Sequence, residues 1–230
     1  MSTSASAPAA PGSRPVVIFD FDGTLVDTGG AVMQTVARVL AARGFTPQQM
    51  GDLRRFIGPP LLDCFRDTCG FTQKEAEAVT AEYRAVFDEL GPADYPVFPG
   101  MAELADELRE QSRRIAIATS RKEDRAREMA HELGLDQFEV IFGLNEPIRH
   151  TKADSIRDVL SALKASPADA VLIGDTVHDI RGAHEVGLPC ITVAFGATDA
   201  SALIAAGADA VCHDVAALRT ELGLRGDTAA

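Results

Sequence analysis

The chain has 230 residues, 46% of them hydrophobic and 24% charged, enough to bury one core carrying an insertion and too few for a long array of domains. Lys and Arg number 22 against 34 Asp and Glu, a net charge of −12, which repels polyanionic backbones and excludes a nucleic-acid polymer as the expected partner. No run approaches the roughly 20 apolar residues of a membrane helix, and the cysteines Cys64, Cys69, Cys190 and Cys212 contain no C-x-x-C pair, so they read as buried thiols and not as a zinc site or disulfide.

The stretch Met1 to Ser13 is built from Ser, Thr, Ala, Pro and Gly without an apolar signal region. It predicts a disordered tail over residues 1–14 and a cytoplasmic protein; Gly226 to Ala230 reads the same way. Val16-Val-Ile-Phe-Asp20 is a continuous, β-branched apolar run, the pattern of a strand buried on both faces of a parallel sheet. Between Gly29 and Val97 the pattern changes. Val32, Val36, Val39 and Leu40 make a helical stripe ending at Gly44, and Thr72 to Leu90 reads as a long charged amphipathic helix, with no strand-like run anywhere. Helices are then predicted at Met101 to Glu110, Lys122 to Leu133 and Ala153 to Leu163. Strands are predicted at Arg114 to Ala118, Glu139 to Phe142, Ala170 to Ile173, Cys190 to Ala194 and Ala210 to Cys212. Alternation of this kind requires crossovers and gives an α/β fold with a parallel sheet. The expected organisation is a core of residues 15–28 and 98–225 interrupted by an all-helical insertion, 29–97. Because the insertion leaves directly after the first strand, it should cover that strand's carboxyl end, where open α/β sheets bind ligands.

That strand ends in Asp20-Phe21-Asp22-Gly23-Thr24-Leu25. Residues i and i+2 of an extended chain point the same way, so two carboxylates emerge together with a glycine behind them, and they repel each other unless a cation or a reaction uses them. A second acidic cluster, Gly174-Asp175-Thr176-Val177-His178-Asp179, follows the strand AVLI; its oxygen ligands suit Mg²⁺, although either acid alone also fits a helix N-cap. Thr119-Ser120-Arg121 presents hydroxyls and backbone N–H groups suited to an anion, or serves only as a helix cap. Lys152, just before the next helix, offers fixed positive charge to a phosphoryl group, or is a solvated surface lysine.

In order and spacing, DFDGTL at Asp20 to Leu25, the threonine ending IAIAT at Thr119, Lys152, and GDTVHD at Gly174 to Asp179 resemble the four motifs of haloacid dehalogenase superfamily phosphatases over Val16 to about Leu222. The resemblance implies a Rossmann-like core and a helical cap of the type called C1. It implies Asp20 as nucleophile, Asp22 as general acid/base, and a phosphoryl site of Gly23, Thr119, Ser120 and Lys152. It also implies Mg²⁺ held by Asp20, the Asp22 carbonyl and Asp175, with Asp179 as a ligand or beside the ligand set. Arg54-Arg55-Phe56-Ile57-Gly58-Pro59-Pro60-Leu61 is similar to a cap segment of phosphoglycolate phosphatase-like and 5′-nucleotidase-like members. Arg55 and Gly58 are therefore expected at the leaving group; the alternative is a loop that merely joins two helices. The chain departs from those relatives at Thr28, where a serine is common, and in lacking a proline after Lys152. The expected activity is Mg²⁺-dependent hydrolysis of a small phosphorylated metabolite. A phosphomutase shares the chemistry, a dehalogenase does not need Asp22, and a non-catalytic phosphate-binding protein does not need the full set of acids and lysine.

Overall fold

The computed structural model describes residues 10–145 and 147–224, so the tails expected at residues 1–9 and 226–230 lie outside the described residues. In chain order the elements are β1 (Val16–Phe19), α1 (Gly29–Ala42), α2 (Pro47–Met50), α3 (Leu61–Cys69), α4 (Gln73–Phe87), α5 (Met101–Glu110), β2 (Arg114–Lys122), α6 (Glu123–Glu132), β3 (Val140–Leu144) and α7 (Lys152–Leu163). The chain continues through β4 (Ala170–Gly174), α8 (Val177–Val186), β5 (Cys190–Val193), α9 (Ala200–Ala205), β6 (Ala210–Cys212) and α10 (Val215–Glu221). The strands form one parallel sheet in the order β3-β2-β1-β4-β5-β6. The first three strands wind outward on one side of β1 and the last three on the other, so the order reverses beside β1. That reversal opens a crevice at the carboxyl ends of β1 and β4.

The continuous apolar runs follow from burial on both faces. Val17, Phe19, Ile115, Ile117, Val171 and Ile173 pack on one side with α5, α6 and α10; Val16, Ile18, Ala116, Ala118, Ala170 and Leu172 pack on the other with α7, α8 and α9. Alternation is still present, but each face meets helices, so neither is polar. The first of these clusters continues without a break into the insertion through Val32, Val36, Leu40, Phe65, Val79 and Phe87.

The described residues of the insertion contain only helices and one 3₁₀ turn, Leu53–Phe56, up to a neck at its base. There Val26 bridges Val97 in antiparallel fashion, Asp27 donates its N–H to Pro96 at 2.8 Å, and Phe98 donates to Leu25 at 2.9 Å. No described helix is long and apolar enough to cross a membrane.

Three expectations need correction. Residues 10–14 belong to the fold and not to a disordered tail: the turn Pro11–Ser13 packs on β4 and β5, and Arg14 donates to the carbonyls of Pro167, Ala168 and Ala170 at 2.9, 2.8 and 3.2 Å. Local composition carries no trace of partners so distant in sequence. β2 runs on to Lys122, with its register against β3 shifting between Ala118 and Lys122, so Thr119-Ser120-Arg121 is extended strand end and α6 starts one residue later than expected. Leu61–Cys69 is a helix the sequence pattern had not marked, its buried face reduced to Cys64 and Phe65.

Candidate active site

Asp20 follows β1 directly and is held in line with the sheet by donating its N–H to the Ile173 carbonyl at 2.8 Å. Asp175 follows β4, the neighbouring strand, and Asp179 sits in the first turn of α8. One carboxylate oxygen from each of the three lies within 4.8 Å of the others, and all three residues are buried. Lys152, the first residue of α7, reaches into the same space. Its Nζ is 2.6 Å from Asp20 Oδ1, 2.8 Å from Asp179 Oδ1 and 3.1 Å from the Ala118 carbonyl, and its side chain is only 6% exposed. A lysine that sequence alone leaves open as a surface residue is therefore buried among acids. The Thr151–Asp154 capping box places it there by starting α7 immediately before it.

The arrangement of the second acidic cluster settles the cap alternative in two different ways. The N-cap of α8 is Thr176, and Asp179 is the third residue of its capping box as well as part of the cluster: Oδ2 accepts from the Thr176 N–H at 3.0 Å and the Thr176 hydroxyl at 2.7 Å, while Oδ1 faces Lys152. Asp175 caps nothing. Its Oδ1 accepts from the Thr24 hydroxyl at 3.1 Å and its Oδ2 from the Ala197 N–H at 2.7 Å. Gly23 makes room for it: φ is +78°, and a Cβ there would lie 2.1 Å from Asp175 Oδ2, so only glycine serves.

Three buried carboxylates share one ammonium, and their protonation reflects the imbalance. Burial, and then the charge of Asp179, push Asp20 up to about 7 against the pull of Lys152. Burial, then Asp179 and Asp20, raise Asp175 well above the carboxylate range. Burial also works against ionised Asp179, but Lys152 and Thr176 outweigh it and its pKa is lowered. The Lys152 ammonium is penalised by burial and held charged by Asp179 and Asp20, with a raised pKa. An oxygen-only, anion-rich cluster of this size fits a hard divalent cation such as Mg²⁺.

The Asp22 side chain stands outside that cluster. It accepts a forked contact from Arg121, with Nη2 2.5 Å and Nε 3.2 Å from Oδ1, and Nε 3.0 Å from Oδ2. Burial raises the Asp22 pKa, but the Arg121 charge and hydrogen bonds prevail and it is lowered. The Arg121 guanidinium also lies over the Phe87 ring of α4, 4.7 Å from its centroid, a cation–π contact between the sheet and the insertion. Nothing in the local sequence marks Arg121 as the partner of a carboxylate 99 positions away. Thr24 and the Ala197 N–H were missed for the same reason.

Asp20 and Asp22 open into a cavity of about 750 Å³ whose core wall includes Thr119, Ser120 and Arg121. Thr119 is buried, and its Oγ1 accepts from the Arg121 N–H at 3.1 Å. The opposite wall is the insertion. Gly58 lines the cavity as expected. At φ +98° a Cβ on it would lie 2.7 Å from Thr176 Cγ2, so this loop rests directly on the turn after Asp175. Arg55 does not reach the cavity: its Nη2 donates to the Met50 carbonyl at 2.7 Å, and it is absent from the lining. The left-handed turn at Gly51 brings that carbonyl end of α2 back to the guanidinium.

Residues 17–193 match the family described as haloacid dehalogenase-like hydrolase. The chain belongs to the haloacid dehalogenase-like hydrolases. Among relatives in this family, it is 35% identical over 210 residues to a protein named 5′-nucleotidase from Pseudomonas aeruginosa, covering 90% of this chain and 95% of that one. It is 35% identical over 192 residues to the tyrosine-protein kinase PtkA of Mycobacterium tuberculosis, covering 82% of this chain and 65% of that one. The crystal structure of a predicted phosphatase from Clostridium acetobutylicum superposes with a TM-score of 0.84 at 28% identity, over 91% of this chain and 98% of that one. The haloacid dehalogenase-like fold expected from the motifs is thus the fold observed.

Proposed function

We propose that the chain is a Mg²⁺-dependent phosphomonoester hydrolase acting through an aspartyl-phosphate on a small phosphorylated metabolite of the 5′-nucleotide or phosphoglycolate type. The observation that carries this reading is the convergence of Asp20, Asp175, Asp179 and Lys152 at the carboxyl edge of the sheet, beside Asp22 and Thr119 at the mouth of a cavity. Mg²⁺ would be held by Asp20, Asp175, Asp179 and the Asp22 carbonyl, and would neutralise phosphoryl and carboxylate charge that otherwise repel.

Asp20 supplies the attacking oxygen. Its carboxylate bonds to phosphorus as the bond from phosphorus to the ester oxygen breaks, and Asp22 delivers a proton to that leaving oxygen. Water then attacks the acyl phosphate, giving its proton to Asp22, and the bond to Asp20 breaks with the carboxylate restored. Lys152 steadies Asp20 and the phosphoryl oxygens, while Thr119 and Ser120 offer hydroxyl and N–H donors; the Gly23 N–H expected to join them is taken by the Val26 carbonyl at 2.9 Å. Because Asp22 is paired with Arg121 in the structure, it must leave that fork to take up its proton. The insertion, residues 29–97, acts as a cap over a core of residues 10–28 and 98–224, and Gly58 packs against Thr176 where the two meet.

A second reading is favoured by the likeness to a protein named tyrosine-protein kinase. If a hydroxyl of another substrate replaces water in the second step, the same residues transfer the phosphoryl group. Phosphate release from an aryl phosphate, phosphoglycolate and 5′-nucleotides, with Mg²⁺ and with chelator, tests the proposal. Turnover that persists in chelator, or its absence on every monoester, contradicts it.

A further inference from the structure

The insertion carries six arginines, and all but Arg84 are engaged. Arg38 pairs with Glu89, Arg43 with Glu82, Arg54 with Asp52 and Arg66 with Asp63 and Asp67, while Arg55 donates to the Met50 carbonyl. Arg84, on α4, is exposed and lines the cavity, with neither an ion pair nor a side-chain hydrogen bond among the described residues. Its own helix offers a partner one turn on, in Asp88, but Asp88 Oδ1 faces Arg125 Nε at 3.4 Å.

The cations that the core contributes to this cavity are committed as well: Arg121 to Asp22, Lys122 to Asp124 at 2.7 Å, and Arg125 to Asp88 and Glu128 at 3.4 Å. Arg84 is thus the cavity cation whose charge no described carboxylate offsets. Its place along α4 also fits a ligand held at Asp20. Phe87, three residues on, lies under the Arg121 guanidinium that grips Asp22, so Arg84 stands at the end of the helix stripe that meets the general acid. Glu77, which lines the same cavity, is seven residues back, about 10 Å along the helix, so an anion is drawn to the Arg84 end and repelled from the other. A guanidinium gives two parallel N–H donors to a carboxylate or a phosphate; an uncharged leaving group gains nothing from it.

We propose that Arg84 is a specificity-determining residue that pairs with a second anionic group, a carboxylate or a phosphate, carried by the leaving group of the substrate. This rests on the phosphohydrolase reading for the chemistry, but the contact itself is a binding contact and is measurable without turnover. In the chain with Asp20 intact, kcat/KM is compared for phosphoglycolate against its uncharged amide, and for propane-1,3-diol bisphosphate against the monophosphate. The parent should favour the charged member of one pair or of both, which tells carboxylate from phosphate. Arg84→Gln should lower that ratio about tenfold, the loss of one charge-assisted hydrogen bond, and Arg84→Lys should recover part of it by keeping the charge without the fork. Glutamine is nearly as good a helix former as arginine, so the exposed position keeps its fold. Arg38→Gln removes the same charge from an exposed pair outside the cavity lining and should leave the ratio within about twofold.

On an Asp20→Asn background, calorimetric titration of the same esters with Mg²⁺ reads the contact by itself; Arg84→Gln should raise Kd for the charged ester about tenfold relative to the uncharged one. If hydrolysis proceeds but Arg84→Gln changes neither ratio nor relative Kd, the proposal is overturned and the hydrolase reading stands. Equal losses on both members of a pair overturn it too, by placing Arg84 on the transferred phosphoryl group, as does a parent that prefers the uncharged member of both pairs. If no monoester is hydrolysed but Arg84→Gln still weakens binding of the charged ester alone, the hydrolase reading falls and the Arg84 contact stands.

Discussion

Lys152→Met removes the single ammonium from the acidic cluster while keeping an unbranched chain of similar length. Nζ lies 2.6 Å from Asp20 and 2.8 Å from Asp179, with all three side chains essentially out of water. Removing one partner of a buried ion pair costs about 3–5 kcal/mol. Asp20 already stands near pKa 7 with the lysine present, so without it the acid takes up a proton at neutral pH and limits the loss to the lower end, about 3 kcal/mol. For a chain of this size each kcal/mol moves Tm by about 2–4 °C, so the expected fall is roughly 6–12 °C.

Calorimetric melting in chelator measures this fall, and Mg²⁺ should return part of it by replacing the lost charge. Lys122→Met is the control. Its pair with Asp124 is more than half exposed on both sides, worth about 0–1 kcal/mol at most. A fall below about 2 °C for Lys152→Met in chelator, with the control unchanged, would falsify the reading of Lys152 as the charge that holds the cluster together.

Asp20 and Asp175 both have folded-state pKa values above the ordinary range, so the folded protein binds more protons than the unfolded chain over this window. Metal-free Tm should therefore fall as pH rises from about 4 through 7, while the stabilisation from Mg²⁺ grows over the same range; a flat metal-free profile would contradict the burial of these acids. Gly58→Ala places a methyl 2.7 Å from Thr176 Cγ2 at a positive φ, so the loop must lift from the core; kcat/KM should fall about tenfold or more with Tm changed by only a few degrees, and normal kinetics would show that the loop does not need this contact. Asp22→Asn should slow esters with basic leaving oxygens about 10²–10⁴-fold and activated aryl esters much less; equal losses on both would reduce Asp22 to a structural partner of Arg121.

The parallel sheet was legible because its central strands are buried on both faces and keep an unbroken apolar run, as in Val16–Phe19 and Ala170–Ile173. The acids were legible because Asp20 and Asp175 follow such runs immediately, and a carboxylate at the end of a buried strand has few other uses. Thr119 and Lys152 gained meaning only from order, since a threonine or lysine at an element boundary is ambiguous alone. What remained hidden depends on contacts between distant residues. Arg121 is one of many surface-type arginines until the fold sets it between Asp22 and Phe87. Arg55 looked available because nothing local shows that the Met50 carbonyl folds back to occupy it. The order of residues 10–14 likewise rests on carbonyls near β4 that receive Arg14.

The most direct test of the central claim is to trap the covalent intermediate. The chain, mixed with a good phosphomonoester substrate and Mg²⁺ and quenched in acid during turnover, is reduced with borohydride and mapped by mass spectrometry. The account predicts conversion of residue 20 from aspartate to homoserine, dependent on substrate and absent from the Asp20→Asn variant. Turnover without modification at Asp20, or with the adduct on another residue, contradicts it.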